Sequence, residues 1–420
     1  MDLRRSIYLL STPALIITIL VSFITEITHF TQPIFFALPF LPYVIFAVAL
    51  VLAYIFNNNR EFLLVILITI TYWVVNYLIF KTDSTLEITQ REHLSHYVTF
   101  LLPLNFIIFS FIQERGILSQ FGLKQFAIIA IQISVIVIII EYPISALTEI
   151  FNSHYFKQLT HNAVYLSQLS IISFEFSLLV LASLIIHQPS IRQGGIFGCL
   201  IFIFISFLNI DNPDAFTLFY AAAGLFLISS IILNSYTLAY HDELTGLSSR
   251  RALKQYLMSL GSNYSLAMVD VDHFKSVNDI HGHDVGDQVL RQLSNYLKNA
   301  PGGAKAYRYG GEEFTLVYNN KSAADAADHA NNLRKQIEKD SFKVRNKLER
   351  PTRHKTDKNR NTKNKKEKSS KKKNFKYTVS IGVAEYREQH KTPFDTLKSA
   401  DKALYVAKKK GRNRVVIAKT

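Results

Sequence analysis

Apolar residues fall along the first half of this 420-residue chain in long uninterrupted runs, at 7–27, 34–56, 62–80, 97–113, 125–140, 167–187, 195–209 and 215–236. A bilayer crossing needs about 17–25 such residues, so the pattern predicts eight membrane-spanning helices. The seventh is the weakest, being short and holding Gly195 and Gly198. The first exceeds the apolar core of a cleavable signal, and no small-residue processing pattern follows it, so it reads as a span. From Asp242 onward the pattern changes to turn residues, alternating apolar positions and amphipathic segments. The chain therefore divides into an integral membrane part, 1–238, and a soluble part, 239–420.

Within the soluble part, 266–271 reads as a buried strand that ends around Asp270 and Asp272, and 287–298 as a helix with Val289, Leu290, Leu293 and Leu297 on one face. Two short strands, 306–309 and 314–318, flank Gly310-Gly311 as a hairpin. A helix at 322–338, a strand at 377–384 and a helix at 394–409 follow. Strand and helix, hairpin, then helix, strand and helix predict a ferredoxin-like α+β palm behind an α-helical membrane bundle.

Charge sharpens this division. Residues 1–240 hold 9 Lys/Arg and 12 Asp/Glu, and residues 241–420 hold 38 and 20, so the net charge of +15 belongs to the second part. The segment 343–376 alone holds 16 basic and 3 acidic residues, so the excess does not mark the whole protein as a nucleic-acid binder. Arg4, Arg5, Arg60, Arg115, Lys124 and Arg192 lie on one side of the eight spans, and Lys81, Arg91 and Lys157, diluted by acids, on the other. The positive-inside rule puts both termini in the cytoplasm. The single cysteine, Cys199, excludes an intrachain disulfide and a cysteine-cluster metal site. Glu175, near the middle of the sixth span, is expected to face a partner or a cavity and is a possible membrane sensor. His29, Asn76 and Asn105 are weaker polar signals, adequately explained by interhelical hydrogen bonds.

The palm would bring Asp270 at a strand end near Glu312 and Glu313 at the hairpin bend. Three converging carboxylates favour a hard divalent cation, best Mg²⁺ with phosphate ligands. Lys275, Lys408 and Arg412 could neutralise a polyphosphate, and Asn278 and Asp287 offer an amide and a carboxylate suited to guanine. Taken singly each has a bland reading, a solvated strand end or a charged helix face. Taken together they describe a nucleotidyl-transfer site.

The run Arg308-Tyr309-Gly310-Gly311-Glu312-Glu313-Phe314 resembles the signature of the GGDEF family of diguanylate cyclases in its GGEEF form. Asp242-Glu243-Leu244-Thr245-Gly246-Leu247, the stretch from Asp270 to Asp287, Val379-Ser380-Ile381-Gly382-Val383, and Ala400 to Tyr405 with Gly411-Arg412-Asn413 match in order, over about 240–418. The resemblance implies condensation of two GTP into cyclic di-GMP with release of two pyrophosphates, at the interface of a homodimer. It implies Asp270, the Val271 carbonyl, Glu312 and Glu313 as holders of Mg²⁺ or Mn²⁺, and Glu312 as acceptor of the ribose 3′-hydroxyl proton. Lys275 would stabilise the transition state, Asn278 and Asp287 would bind guanine, Phe274 would line the substrate site, Gly310 and Gly311 would let the backbone approach the phosphates, and Lys408 and Arg412 would hold them. Localisation in a bacterial inner membrane goes with it. The alternative is a catalytically silent GTP-binding effector.

Three departures stand out. The family's inhibitory Arg-x-x-Asp is replaced by Pro301-Gly302-Gly303-Ala304, so product feedback through that site is not expected. Ser249 stands where the family has Asn, a local capping change. The insertion 343–376 is expected to be disordered. Its bland reading is a solvated loop, and anionic lipid headgroups are its best functional partner; no specific nucleic-acid partner is expected, since interleaved aromatics are lacking.

Overall fold

The computed structural model describes residues 8–13, 16, 37–79, 86–153, 165–340, 342–343 and 374–419. Two compact units divide the chain, Met1–Tyr236 and Thr237–Thr420.

Among the described residues the first unit has seven helices long and apolar enough to cross a membrane. They are α1 (Leu41–Ile55, led by a 3₁₀ turn at Leu38–Phe40), α2 (Asn59–Val74, continued by a π turn at Val75–Ile79), α3 (Ile88–Phe111), α4 (Gln120–Glu141), α6 (Gln168–His187), α7 (Ile191–Leu208) and α8 (Pro213–Tyr240). A short α5 (Ser145–Asn152) follows α4. Most of the apolar run 7–27 lies outside the described residues, as does His29.

The glycines that weaken the seventh run on hydropathy have a packing reason. A Cβ on Gly195 would stand 2.1 Å from the Ser230 Oγ of α8, and one on Gly198 2.2 Å from the Phe226 ring. Small residues let α7 and α8 approach closely. Within the spans, Asn105 and Gln132 exchange amide hydrogen bonds of 3.0 and 3.1 Å, and Asn76 donates to the Tyr72 carbonyl. Unforeseen from sequence is a buried ion cluster at the helix ends. Arg192 lies 2.8 Å from the fully buried Glu61 and 2.6 Å from Glu114, and donates to Asn58 at 3.1 Å.

In the second unit, α9 (Arg250–Met258) leads to β1 (Tyr264–Val271), α10 (Phe274–His281), α11 (His283–Lys298), β2 (Lys305–Arg308), β3 (Glu313–Asn319), α12 (Ala323–Lys339), β4 (Phe342–Lys343), β5 (Asn374–Phe375), β6 (Val379–Glu385), α13 (Pro393–Lys409) and β7 (Val415–Ile417). The five-stranded sheet has the order β2-β3-β1-β6-β7, antiparallel except for the β6–β7 pair. Its first four strands have the ferredoxin-like order, so the fold is a palm-type α+β domain with a mixed sheet. All of β1 is buried because both faces are covered. Ala267, Val269 and Val271 pack among residues of α11 and α12, while Leu266 and Met268 pack among residues of α9 and α13. Gly382 of β6 lets α13 lie close, since a Cβ there would stand 2.0 Å from the Leu404 amide nitrogen. Ser249 caps α9 by accepting from the Ala252 amide.

The ends of the insertion depart from expectation. Phe342 pairs with Phe375 and Lys343 with Asn374 as the two-stranded β4–β5 ribbon, and the rings of Phe342 and Phe375 lie 5.0 Å apart. That aromatic contact orders positions that charge alone marks as unstructured; residues 344–373 lie outside the described ones.

Candidate functional site

The site begins at the C-terminal end of β1. Antiparallel register sets Asp270 opposite Glu313 on β3 and opposite Ser380 on β6. Asp270 is 3% exposed, and its carboxylate lies 2.8 Å from the Lys408 ammonium of α13. Burial pushes its pKa up to about 6, with Glu312 and Glu313 adding to the rise and Lys408 opposing it. Glu312, in the turn, is raised in the same way, by burial first and by Glu313, against Lys408. This strand end thus carries more negative charge than its surroundings satisfy.

The Gly310-Gly311 turn is held by Arg308, the last residue of β2. Its guanidinium donates to the Gly311 carbonyl at 2.7 and 3.2 Å, to the Gly310 carbonyl at 3.3 Å and to the Asp242 carboxylate at 2.8 Å. Asp242 also accepts from the Thr245 amide and hydroxyl at 2.9 and 2.6 Å. These bonds lower its pKa despite partial burial. The motif that opens the unit therefore braces the turn that carries Glu312. The two motifs are not linked by the sequence pattern, because the link runs through a side chain between positions 66 apart.

Two further motifs are anchored by Asp272. It accepts from the hydroxyls of Thr378 and Ser380, each at 2.6 Å, and from the Asn413 amide at 3.0 Å. Arg412 and Asn413 both have positive φ, and the Asn413 side chain accepts from Arg334 at 2.7 Å and donates to Glu338 at 2.7 Å. Asp272 is thus a fixing point for the loop that presents Arg412.

On the other side of β1, Phe274 opens α10 and is buried, whereas Lys275 beside it is exposed. Asn278 and Asp287 are half-buried on α10 and α11. The Asn278 Oδ1 is buried with no hydrogen-bond partner. A Cβ on Gly286 would stand 1.9 Å from that oxygen, so this glycine keeps open the space in front of the amide.

The structure brings Asp270, Glu312, Glu313 and Lys408 together around the strand end. It departs from the sequence reading at the metal centre and at Glu175. Among the described residues no group of three or more Asp, Glu, His or Cys is gathered closely enough to hold a metal ion, so the carboxylates do not form a closed cage. Lys408, a candidate phosphate ligand, is ion-paired with Asp270. The donor set nonetheless fits a hard divalent ion: Asp270, Glu312 and Glu313 offer only oxygen, burial and then carboxylate repulsion raise the proton affinity of Asp270 and Glu312, and an ammonium occupies the position of counter-charge. Glu175, expected to face a partner or a cavity, is exposed on α6, since the helix turns Phe174 and Ser177 inward instead.

Residues 239–356 and 349–414 match the family described as diguanylate cyclase, GGDEF domain, in two segments that meet within the basic insertion. The C-terminal unit is a GGDEF domain. Over 186 residues the chain is 37% identical to diguanylate cyclase VdcA of Vibrio cholerae, covering 42% of this chain and 47% of that one. It is 35% identical over 185 residues to an uncharacterized membrane protein of Staphylococcus haemolyticus, covering 42% and 45%. The chain spans less than half the length of these relatives. Among solved structures, the GGDEF domain of DgcB from Caulobacter crescentus in complex with c-di-GMP is 30% identical, with 43% of this chain and 97% of that chain covered at a TM-score of 0.36. The GGDEF domain here follows seven apolar helices, and the membrane-protein relative fits an N-terminal membrane part.

Proposed function

We propose that the protein is a bacterial inner-membrane diguanylate cyclase, with both termini cytoplasmic, that condenses two GTP into cyclic di-GMP and two pyrophosphates. The observation that carries this reading is the register of Asp270 against Glu313 beside the Arg308-braced turn, which gathers acidic oxygen at one strand end. Asp287 accepts the guanine N1 and N2 protons and the Asn278 amide completes base recognition. Gly310 and Gly311 give the phosphates access to backbone, with Lys408 and Arg412 as their cationic partners. Asp270, the Val271 carbonyl, Glu312 and Glu313 would hold Mg²⁺ or Mn²⁺, which when bound neutralises phosphate charge.

The raised proton affinity of Glu312 suits it to accept the ribose 3′-hydroxyl proton. The 3′-oxygen of one GTP then bonds to the α-phosphorus of the other, the bond from that phosphorus to the bridging oxygen of pyrophosphate breaks, and Lys275 meets the developing charge. The same step with the roles exchanged closes the ring. Because each domain presents one GTP, two domains must face each other, and a homodimer is the simplest arrangement.

The membrane part regulates this encounter. Ser249, next to the Asp242 motif, hydrogen-bonds the carbonyls of Ala239 and Tyr240 at the end of α8, so that a movement of this helix end reaches Asp242, Arg308 and the turn. The insertion 343–376 adds contact with anionic headgroups. Nucleotide analysis of the full chain incubated with GTP, with and without Mg²⁺, tests the reading: cyclic di-GMP is expected only with the metal. GTP binding without product would make the protein a silent effector.

A further inference from the structure

The outward face of α6 poses a physical problem. Glu175 is the eighth of its twenty residues, about 10 Å along the helix at 1.5 Å per residue. It is exposed, and among the described residues it has no hydrogen bond or ion pair. A carboxyl against acyl chains at that depth is costly, and such groups ordinarily face protein or water. The remainder of the face has a pattern. Phe176, Leu179, Ser183 and Ile186, at spacings of three, four and three, are all exposed, with Leu179 at 71%. The opposite side of α6 is consumed within the unit, where Phe174 stacks on Phe204 at 4.9 Å and Ser173 donates to the Phe100 carbonyl at 2.8 Å. One helix thus carries a filled seam inward and an a/d-type seam with a small polar residue outward.

We infer that this face of α6 is the membrane interface between two copies of the chain, with Glu175 as its polar contact. A two-fold axis sets the same patch against itself. Each Glu175 then meets its counterpart or the partner's seam instead of lipid, with Ser183 allowing close approach. The identity of the occupant rests on the proposed function, which requires a second copy; the need to cover Glu175 does not.

The test is oxidative cross-linking of the full chain in native membranes, in a Cys199→Ala background. Leu179→Cys on α6 is compared with Val135→Cys on α4, which is also exposed, and mass is measured in lipid nanodiscs. Leu179→Cys should form dimers at least about fivefold more than Val135→Cys. Glu175→Gln, which keeps hydrogen bonding, should retain dimerisation, and Glu175→Leu should weaken it by about 3- to 30-fold, the range for hydrogen bonds between membrane helices. A dimeric mass without a Leu179 link, or equal links at both positions, overturns the α6 interface and leaves the two-copy reaction standing. A monomeric mass with active enzyme overturns both.

Discussion

Two carboxylates show how differently the two units are built. Asp270 is almost fully buried at a strand end, where register fixes its neighbours Glu313 and Ser380 and a lysine stands 2.8 Å away. Glu175 lies in an apolar helix of twenty residues and points out of the chain. In the GGDEF domain Asp270 is explained by residues of the same unit. In the membrane part the solvent is lipid, so burial within the chain does not mean concealment from water, and an exposed acid demands an explanation from outside.

The contrast is tested first where chemistry is densest. Glu312→Gln removes one negative charge at nearly constant shape, and cyclic di-GMP formation should fall by about 100-fold or more. Circular dichroism and melting should be unchanged. Normal turnover would remove Glu312 from the reaction. Arg308→Met should come next, because it releases two turn carbonyls and leaves Asp242 without its cation. A loss of about 2–3 kcal/mol is expected in the stability of the GGDEF unit, by analogy with charged hydrogen bonds, together with a drop in kcat. Asp242→Asn should add little to it, since both act through one brace. Additive losses would show that the two residues work separately.

Base recognition is a smaller effect. Asp287→Asn offers guanine a donor where guanine itself donates, and should weaken GTP binding by about 1–3 kcal/mol with little change in melting. Unchanged binding would free Asp287 of this role.

The smallest effect is on pH dependence. Burial pushes the Asp270 pKa up from its ordinary 3.8 to about 6. A carboxyl with a raised pKa stabilises the fold most below about 4, and this contribution is lost as pH rises through about 6. In the metal-free protein, stability should therefore decline over that window relative to Asp270→Asn. Mg²⁺ affinity, which competes with the proton, should rise over the same window. Lys408→Met removes the group that opposes the shift and should move both transitions to higher pH. An unshifted midpoint would show that Lys408 does not govern Asp270.

Much of the palm was legible because its strands alternate and its motifs are local. The hairpin around Gly310-Gly311, the strand ending at Asp270 and the last long helix lie close to their expected positions. The short elements were not legible: α9 and α10 have eight or nine residues, and β7 has three, too few for a periodicity to declare itself. The brace from Asp242 to Arg308 and the anchoring of Asn413 by Asp272 are contacts between distant side chains, which spacing does not encode. In the membrane part, hydropathy marks the helices but not their facing, so neither the Arg192 cluster with Glu61 and Glu114 nor the outward turn of Glu175 could be read from it.

In the proposed reaction two GTP molecules are joined by reciprocal attack of a 3′-oxygen on an α-phosphate. Pyrophosphate released per dinucleotide, measured with the full chain and Mg²⁺, tests it most directly when GTP alone is compared with GTP plus 3′-deoxy-GTP. GTP alone should give two pyrophosphates for each cyclic di-GMP. With the deoxy analogue present a linear dinucleotide and a single pyrophosphate should form, because the second attack has no hydroxyl. Phosphate release in place of pyrophosphate, or bound GTP that yields no dinucleotide, would contradict it.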